Sequence, residues 1–156
     1  YVARWGCPGV PSSGPSYCTA GTTTNGCVPA ISGTGSASAS AGTGFTISVA
    51  NVEGQKLGLL FYGVAGAVAS PWGSGSSFLC VKAPTQRLAS QNSGGTANSC
   101  NGVLSDDWNT YIGSHPGALG QPFLGGETVW AQAWFRDPPA PKTTNLSDGL
   151  EFTVQP

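Results

Sequence analysis

Ser114 and His115 are the one place in this sequence where a hydroxyl nucleophile adjoins an imidazole, and His115 is the only histidine in 156 residues. Serine hydrolysis needs the imidazole to take the hydroxyl proton while a third group orients the ring, an arrangement that chain neighbours rarely form. No G-x-S-x-G elbow surrounds Ser114, and Pro116 and Gly117 follow, so a surface turn is the expected setting. Asp106, Asp107 and Asn109 form the densest group of side-chain oxygens. Calcium takes roughly 6–8 oxygens, so these three would supply part of a shell completed by backbone carbonyls. The D-x-D-x-D-G pattern is missing, and an acidic loop or helix cap accounts for the same residues, so no metal or other cofactor is expected. Sugar hydrolysis needs two carboxylates across a cleft. The seven Asp and Glu stand singly apart from Asp106-Asp107, and the expectation is a protein that is not an enzyme.

Trp5, Trp72, Trp108, Trp130 and Trp134 offer flat rings on which a sugar can stack. Tryptophan mostly supplies core and interface burial. Trp5 and Trp72 sit in Pro/Gly-rich segments and are the two expected at the surface, with Trp72 the candidate glycan contact. Asn145-Leu146-Ser147 matches the N-glycosylation acceptor, and the Ser and Thr of 22–24 and 36–46 are equally open to O-linked sugar.

Five cysteines cannot all pair within one chain, and sequence alone leaves the connectivity open. Our preferred arrangement joins Cys18 to Cys27, closing a short turn-rich loop, and Cys80 to Cys100, tying one strand end to the next. Each would contribute about 2–4 kcal/mol by restricting the unfolded chain. Cys7 is then left over as an intermolecular or free thiol. With one His and no CxxC, metal binding through cysteine is disfavoured.

Only 8% of residues are charged, against ~25% in soluble domains generally. Hydrophobic residues at 39% and five Trp nevertheless exclude disorder. A net charge of -1 offers nothing to nucleic acid or an anionic membrane surface. No apolar run approaches ~20 residues, so membrane insertion is not expected. The chain opens at Tyr1 and contains no Met, which we read as a mature protein after removal of an export signal. Cysteine in a small Gly/Ser/Thr-rich chain points to an oxidising compartment, so the expected location is secreted or at the cell surface.

The elements that must position these residues are strands. From Glu127 to Asp137, Val129, Ala131, Ala133 and Phe135 alternate with Trp130, Gln132, Trp134 and Arg136, a period of two. A strand apolar on both faces belongs mid-sheet, with layers over each side. Phe45, Ile47 and Val49 alternate with polar residues; Leu57 to Tyr62 is apolar throughout; Phe78 to Val81 is a third, short run; Leu150, Phe152 and Val154 close the chain. Leu104, Trp108 and Ile112 fit either period. We read 103–112 as a strand, although Ser105 would serve as an N-cap for a short helix. Residues 1–35 are turn-rich, and 36–44 (SASASAGTG) reads as a flexible solvated loop. Together these signals predict an all-β fold, an antiparallel β-sandwich of jelly-roll or Ig-like type, over 17–156, preceded by an N-terminal arm over 1–16.

Several segments form a recognisable ensemble: YCTAGTTTNGCVPAISGTGSAS (17–38), GQKLGLLFYG (54–63), LCV (79–81), SGGT (93–96), and the RDP and LSDGLEFTVQP pieces after Arg136. The ensemble resembles an uncharacterised secreted β-sandwich module that recurs, often at the C-terminus of larger exported proteins, in planctomycete-type and myxobacterial genomes. The resemblance covers roughly residues 17–156. It implies an exported, disulfide-containing all-β module with no catalytic residues to carry over. Residues 1–16, with Cys7, lie outside the pattern, and the module here stands alone as the whole expected mature chain. The expectation is a non-enzymatic extracellular subunit that assembles with copies of itself as a surface or filament protein. An arm carrying apolar Tyr1, Val2, Trp5 and Val10, or an open sheet edge, would make the joint. The alternative is a carbohydrate-binding module using exposed Trp.

Overall fold

In the computed structural model, which describes residues 13–156, alternating apolar rows become twelve strands and one short helix. The strands are β1 Ser13–Tyr17, β2 Ala30–Gly35, β3 Phe45–Val52, β4 Leu57–Gly63, β5 Ala67–Pro71 and β6 Phe78–Val81. They continue with β7 Gln86–Arg87, β8 Gln91–Asn92, β9 Gly102–Asp107, helix α1 Trp108–Ser114, β10 Thr128–Arg136, β11 Thr144–Leu146 and β12 Gly149–Thr153. The larger sheet runs β1-β12-β10-β4-β7, with β11 also on β10 and β8 also on β4. A second sheet runs β2-β3-β9, and β5 and β6 form a separate hairpin. All strand pairings are antiparallel.

The two sheets share one core. Ile47 and Val49 of β3 and Leu104 of β9 meet Leu60 and Tyr62 of β4, Val129 to Phe135 of β10 on alternate positions, and Leu150 and Phe152 of β12. The small row of β10 therefore faces inward, while its Trp-Gln-Trp row faces the other way. Gly58 of β4 has no room for a side chain between Leu104 of the second sheet and β10. A Cβ there would stand 2.7 Å from Leu104 Cδ1 and 2.8 Å from the Trp134 carbonyl oxygen. The core's centre is aromatic. Trp108 is fully buried, with ring centroids of Phe123 and Phe152 at 5.0 and 5.1 Å and that of Tyr62 at 5.9 Å. Its indole N–H has no hydrogen-bond acceptor among the described residues.

Four expectations are corrected. The 103–112 segment is a strand only as far as Asp107; Trp108 then starts α1, with Asp107 and not Ser105 as N-cap. The side chain of Asp107 accepts the Thr110 backbone N–H at 3.0 Å, which stabilises the helix start. The 36–44 segment is pinned instead of loose. Ala37 and Ser38 are buried, and Ser38 bridges to Gln155. The strand β1 takes in Ser13–Ser16, so the sheet begins ahead of residue 17. The disulfides join Cys18 to Cys80 and Cys27 to Cys100, across 62 and 73 residues, in place of the two nearer pairs. Each links the turn-rich N-terminal third to a segment far along the chain.

Candidate functional site

On the outer face of the larger sheet, register brings residues from distant segments into rows. Trp134 of β10 stands opposite Leu59 of β4 on one side and Leu146 of β11 on the other. One pair along β4, Phe61 lies between Gln132 of β10 and Arg87 of β7. Directly opposed residues share a face, so these side chains form one surface. The β5–β6 hairpin covers part of it, and the uncovered remainder is a groove of about 190 Å³. Its floor is Leu59, Phe61, Trp134 and Leu146; Trp72 and Leu79 come from the hairpin; Ala83, Thr85 and Arg87 form the far rim. Arg87 is exposed, and its guanidinium has no ion-pair partner among the described residues.

The hairpin is held over the sheet by the Cys18–Cys80 bond and by side-chain hydrogen bonds, among them that of Ser77, whose hydroxyl accepts the Leu146 N–H of β11 at 3.1 Å. Gln132 Oε1 accepts the Cys80 N–H at 2.9 Å, and Gln132 Nε2 donates to the carbonyls of Phe78 at 2.8 Å and Ser147 at 2.6 Å. The hydroxyl of Tyr17 donates to the Cys80 carbonyl at 2.7 Å, beside the Cys18–Cys80 bond. Burial pushes the Tyr17 phenol well above its usual range, with the carboxylate of Glu151 adding to the rise, so it stays a neutral donor. Burial does the same to Tyr62, which donates to the Leu119 carbonyl at 2.8 Å.

Trp72 is not the open platform expected. Its ring is half-buried in the groove wall, Nε1 donates to Thr144 Oγ1 at 2.9 Å, and Lys142 Nζ stands 4.2 Å from the ring centroid. Trp134, one of the five candidate rings, is half-exposed on the floor and is the better stacking surface, although its place in the most regular strand reads as core. Arg87 and Thr85 carry no sequence signal; Leu79 belongs to the expected run 78–81, and the outward Trp row of β10 points to this face.

The Asp106, Asp107 and Asn109 side chains diverge. Asp106 accepts from Gln91 Nε2 at 3.1 Å, and burial raises its pKa more than that bond lowers it. Asp107 serves α1 and also accepts the Gly44 N–H at 2.8 Å. Partial burial pushes its pKa up, yet bonds from the backbone of Gly44, Thr110 and Phe45 and from the Thr110 hydroxyl together hold it below the usual carboxylate value. Asn109 is fully buried, accepting the Ser38 N–H at 2.9 Å and donating to the Ser36 and Thr43 carbonyls at 3.0 Å each. It is the clasp of the 36–44 loop. No group of three or more His, Cys, Asp or Glu gathers among the described residues.

Two buried carboxylates hold the Thr23–Asn25 turn. Glu53 accepts from Thr23 Oγ1 at 2.5 Å and from Asn25 Nδ2 at 2.7 Å, while Asp137 accepts from Thr24 Oγ1 and Asn145 Nδ2, each at 2.7 Å. Asn145 of the sequon is 4% exposed with its amide nitrogen bonded to Asp137, so a glycan cannot attach to the folded chain there. Ser114 and His115 do adjoin, with Oγ and Nδ1 3.0 Å apart on an exposed turn. Nδ1 is also 2.8 Å from the Tyr111 carbonyl, which can only accept. A proton on Nδ1 satisfies that carbonyl and leaves the nitrogen unable to take one from Ser114. Tyr1, Val2, Trp5, Cys7 and Val10 lie outside the described residues. The other four cysteines are consumed by one another, so Cys7 has no cysteine left in its own chain.

Fold and groove define an all-β protein closed by disulfides, with an aromatic, partly cationic cleft on its outer face, and among the described residues no helix is long and apolar enough to cross a membrane. The chain matches no protein-family model, no curated protein and no solved structure.

Proposed function

We propose that this chain is a non-enzymatic extracellular structural subunit that joins copies of itself along a sheet edge, with the N-terminal segment and Cys7 as a second joint. One observation carries this reading: β5 pairs with β6 alone and has nothing along its other side among the described residues. Other edges are covered. Ser105 of β9 donates to and accepts from the Gln91 amide at 3.0 and 3.2 Å, and Val103 N–H reaches the Ser93 carbonyl at 2.8 Å. Asp148 takes the Ile31 N–H of β2 at 2.9 Å, Tyr111 caps the Arg87 carbonyl of β7 at 3.0 Å, and Pro15 removes a donor from β1. Edge strands are commonly protected by charge or proline; Ala67, Val68, Ala69 and Ser70 carry neither, and Pro71 removes a donor only at the end of β5.

An antiparallel β5–β5 contact between two copies would be isologous and would close as a pair. Extension beyond a pair then needs a different joint, for which residues 1–12 and the odd Cys7 are the candidates. The test is native mass by light scattering of the intact chain and of Ala67→Lys/Ala69→Lys, both at exposed positions. Loss of the oligomer with an unchanged melting temperature is expected; an oligomer of unchanged size would refute the edge contact. Deleting residues 1–12, with and without reductant, tests the second joint in the same way.

A second reading, a carbohydrate-binding module, is favoured by the groove, where the floor of Trp134 and Phe61 offers an apolar face of the kind sugar rings stack on.

A further inference from the structure

We propose that the groove on the outer face of the larger sheet binds one uronic acid residue of an acidic polysaccharide. The inference rests on the carbohydrate reading of that groove and is independent of assembly through β5. Two properties of the groove point the same way. Its floor is apolar and aromatic, with Trp134 half-exposed between Leu59 and Leu146, which suits the C–H face of a pyranose. Its rim carries Arg87, a cation across the strand pair from Phe61 with no acidic partner among the described residues. A planar guanidinium recognises a carboxylate through two parallel hydrogen bonds, and a hexuronate presents its carboxylate at one edge of the ring. The exposed Thr85 beside Arg87 adds a hydroxyl for a neighbouring sugar oxygen.

No Asp or Glu lines the groove, so nothing there repels an anion. Lys142, over the Trp72 ring in the wall, adds a second positive charge nearby. The volume of about 190 Å³ lies below the ~300–1,000 Å³ of pockets that enclose a whole ligand, which fits one residue of a chain that continues into solvent. The competing occupant is an apolar side chain from residues 1–12 of a second copy. That segment has Arg4 and no Asp or Glu, so docking it would set two cations together and leave Arg87 unpaired.

The experiment is calorimetric titration of the full chain with oligomers of galacturonic, glucuronic and mannuronic acid, and with galactose, glucose and mannose oligomers of equal length. At least tenfold tighter binding of one acidic oligomer than its neutral counterpart is expected, weakening as salt is added. Arg87→Ala, at an exposed position, should reduce the acidic oligomer to the neutral level, and Arg87→Lys should restore part of the difference. Trp134→Phe should retain binding that Trp134→Ala loses. Equal binding of acidic and neutral oligomers would overturn the uronate proposal while leaving carbohydrate binding intact. No binding of any oligomer would overturn both. A synthetic peptide of residues 1–12 that binds the chain and is lost with Trp134→Ala would assign the groove to assembly.

Discussion

The side-chain amide of Gln132 takes the place of a neighbouring strand for Cys80. Its oxygen accepts the Cys80 N–H at 2.9 Å, and its nitrogen donates to the carbonyl two residues earlier in β6 at 2.8 Å. A hairpin that pairs with no strand of the larger sheet is thereby docked on it in part through one wholly buried side chain, beside the bonds made by Tyr17, Trp72 and Ser77.

Replacing Gln132 should therefore be costly. Gln132→Ala removes three hydrogen bonds and leaves the Cys80 N–H buried without an acceptor, a loss of about 3–5 kcal/mol. The melting temperature should fall by roughly 8–15 °C. Gln132→Glu keeps an acceptor for Cys80 but buries a charge. Its defect, read by thermal unfolding, should be larger at pH 7 than at pH 4.

Peptide mapping under non-reducing conditions should recover Cys18 joined to Cys80 and Cys27 joined to Cys100. The paired substitution Cys18→Ala/Cys80→Ala frees a closure of 62 residues, worth about 4 kcal/mol by chain entropy. A lower urea midpoint is the readout. The two closures interleave, so the loss on removing both should differ from the sum of the separate losses.

Asn109→Ala should loosen the 36–44 loop ahead of anything else. Its three bonds reach Ser36, Ser38 and Thr43, and their loss should cost about 2–3 kcal/mol. Amide hydrogen exchange should rise at least tenfold within 36–44 and far less in β10. Asn109→Asp keeps the acceptor for Ser38 and loses both donors, so an intermediate effect is expected.

Asp148 gives a pH-dependent prediction. Burial raises its carboxyl pKa, and the hydrogen bond from the Ile31 N–H only partly offsets the rise. A raised folded pKa means that the folded chain binds the proton more readily, so the charge destabilises above that pKa and the penalty disappears as pH falls below the unfolded value. Asp148→Asn retains an oxygen for Ile31 and removes the charge. It should raise the melting temperature at pH 7, modestly because solvent screens the half-exposed carboxylate, and the gain should vanish below the pKa of an unfolded aspartate. Asp107 has the opposite sign, since its lowered pKa supplies stability that is lost on acidification. Asp107→Asn should accordingly be destabilising at pH 7 and nearly silent in acid.

The central strand was legible because its two rows have different partners. The small row meets the second sheet and the tryptophan row meets the hairpin, and each leaves a period of two in the sequence. Leu104, Trp108 and Ile112 misled for a related reason. All three point into the core, but Leu104 does so from a strand and the others from a helix, so one spacing straddles two elements. The strands β5, β7 and β8 are too short or too evenly small to show alternation. The 36–44 segment looked loose because its side chains are small, and small side chains are what allow Ala37 and Ser38 to pack inside. Cysteine pairing depends on which segments fold against one another, a property that nearness along the chain does not encode. The groove was beyond reach for the same reason: Trp134, Arg87 and Trp72 meet only through register and hairpin docking.

The crossed order of the two disulfides governs what happens when a protease cuts the backbone. A single cut anywhere between Cys18 and Cys100, the exposed Gly73–Gly75 turn included, falls within at least one covalent ring. The severed pieces cannot drift apart, and the nicked molecule would run as two fragments only after reduction. Such a protein would outlast proteolytic damage that disperses an unbridged one.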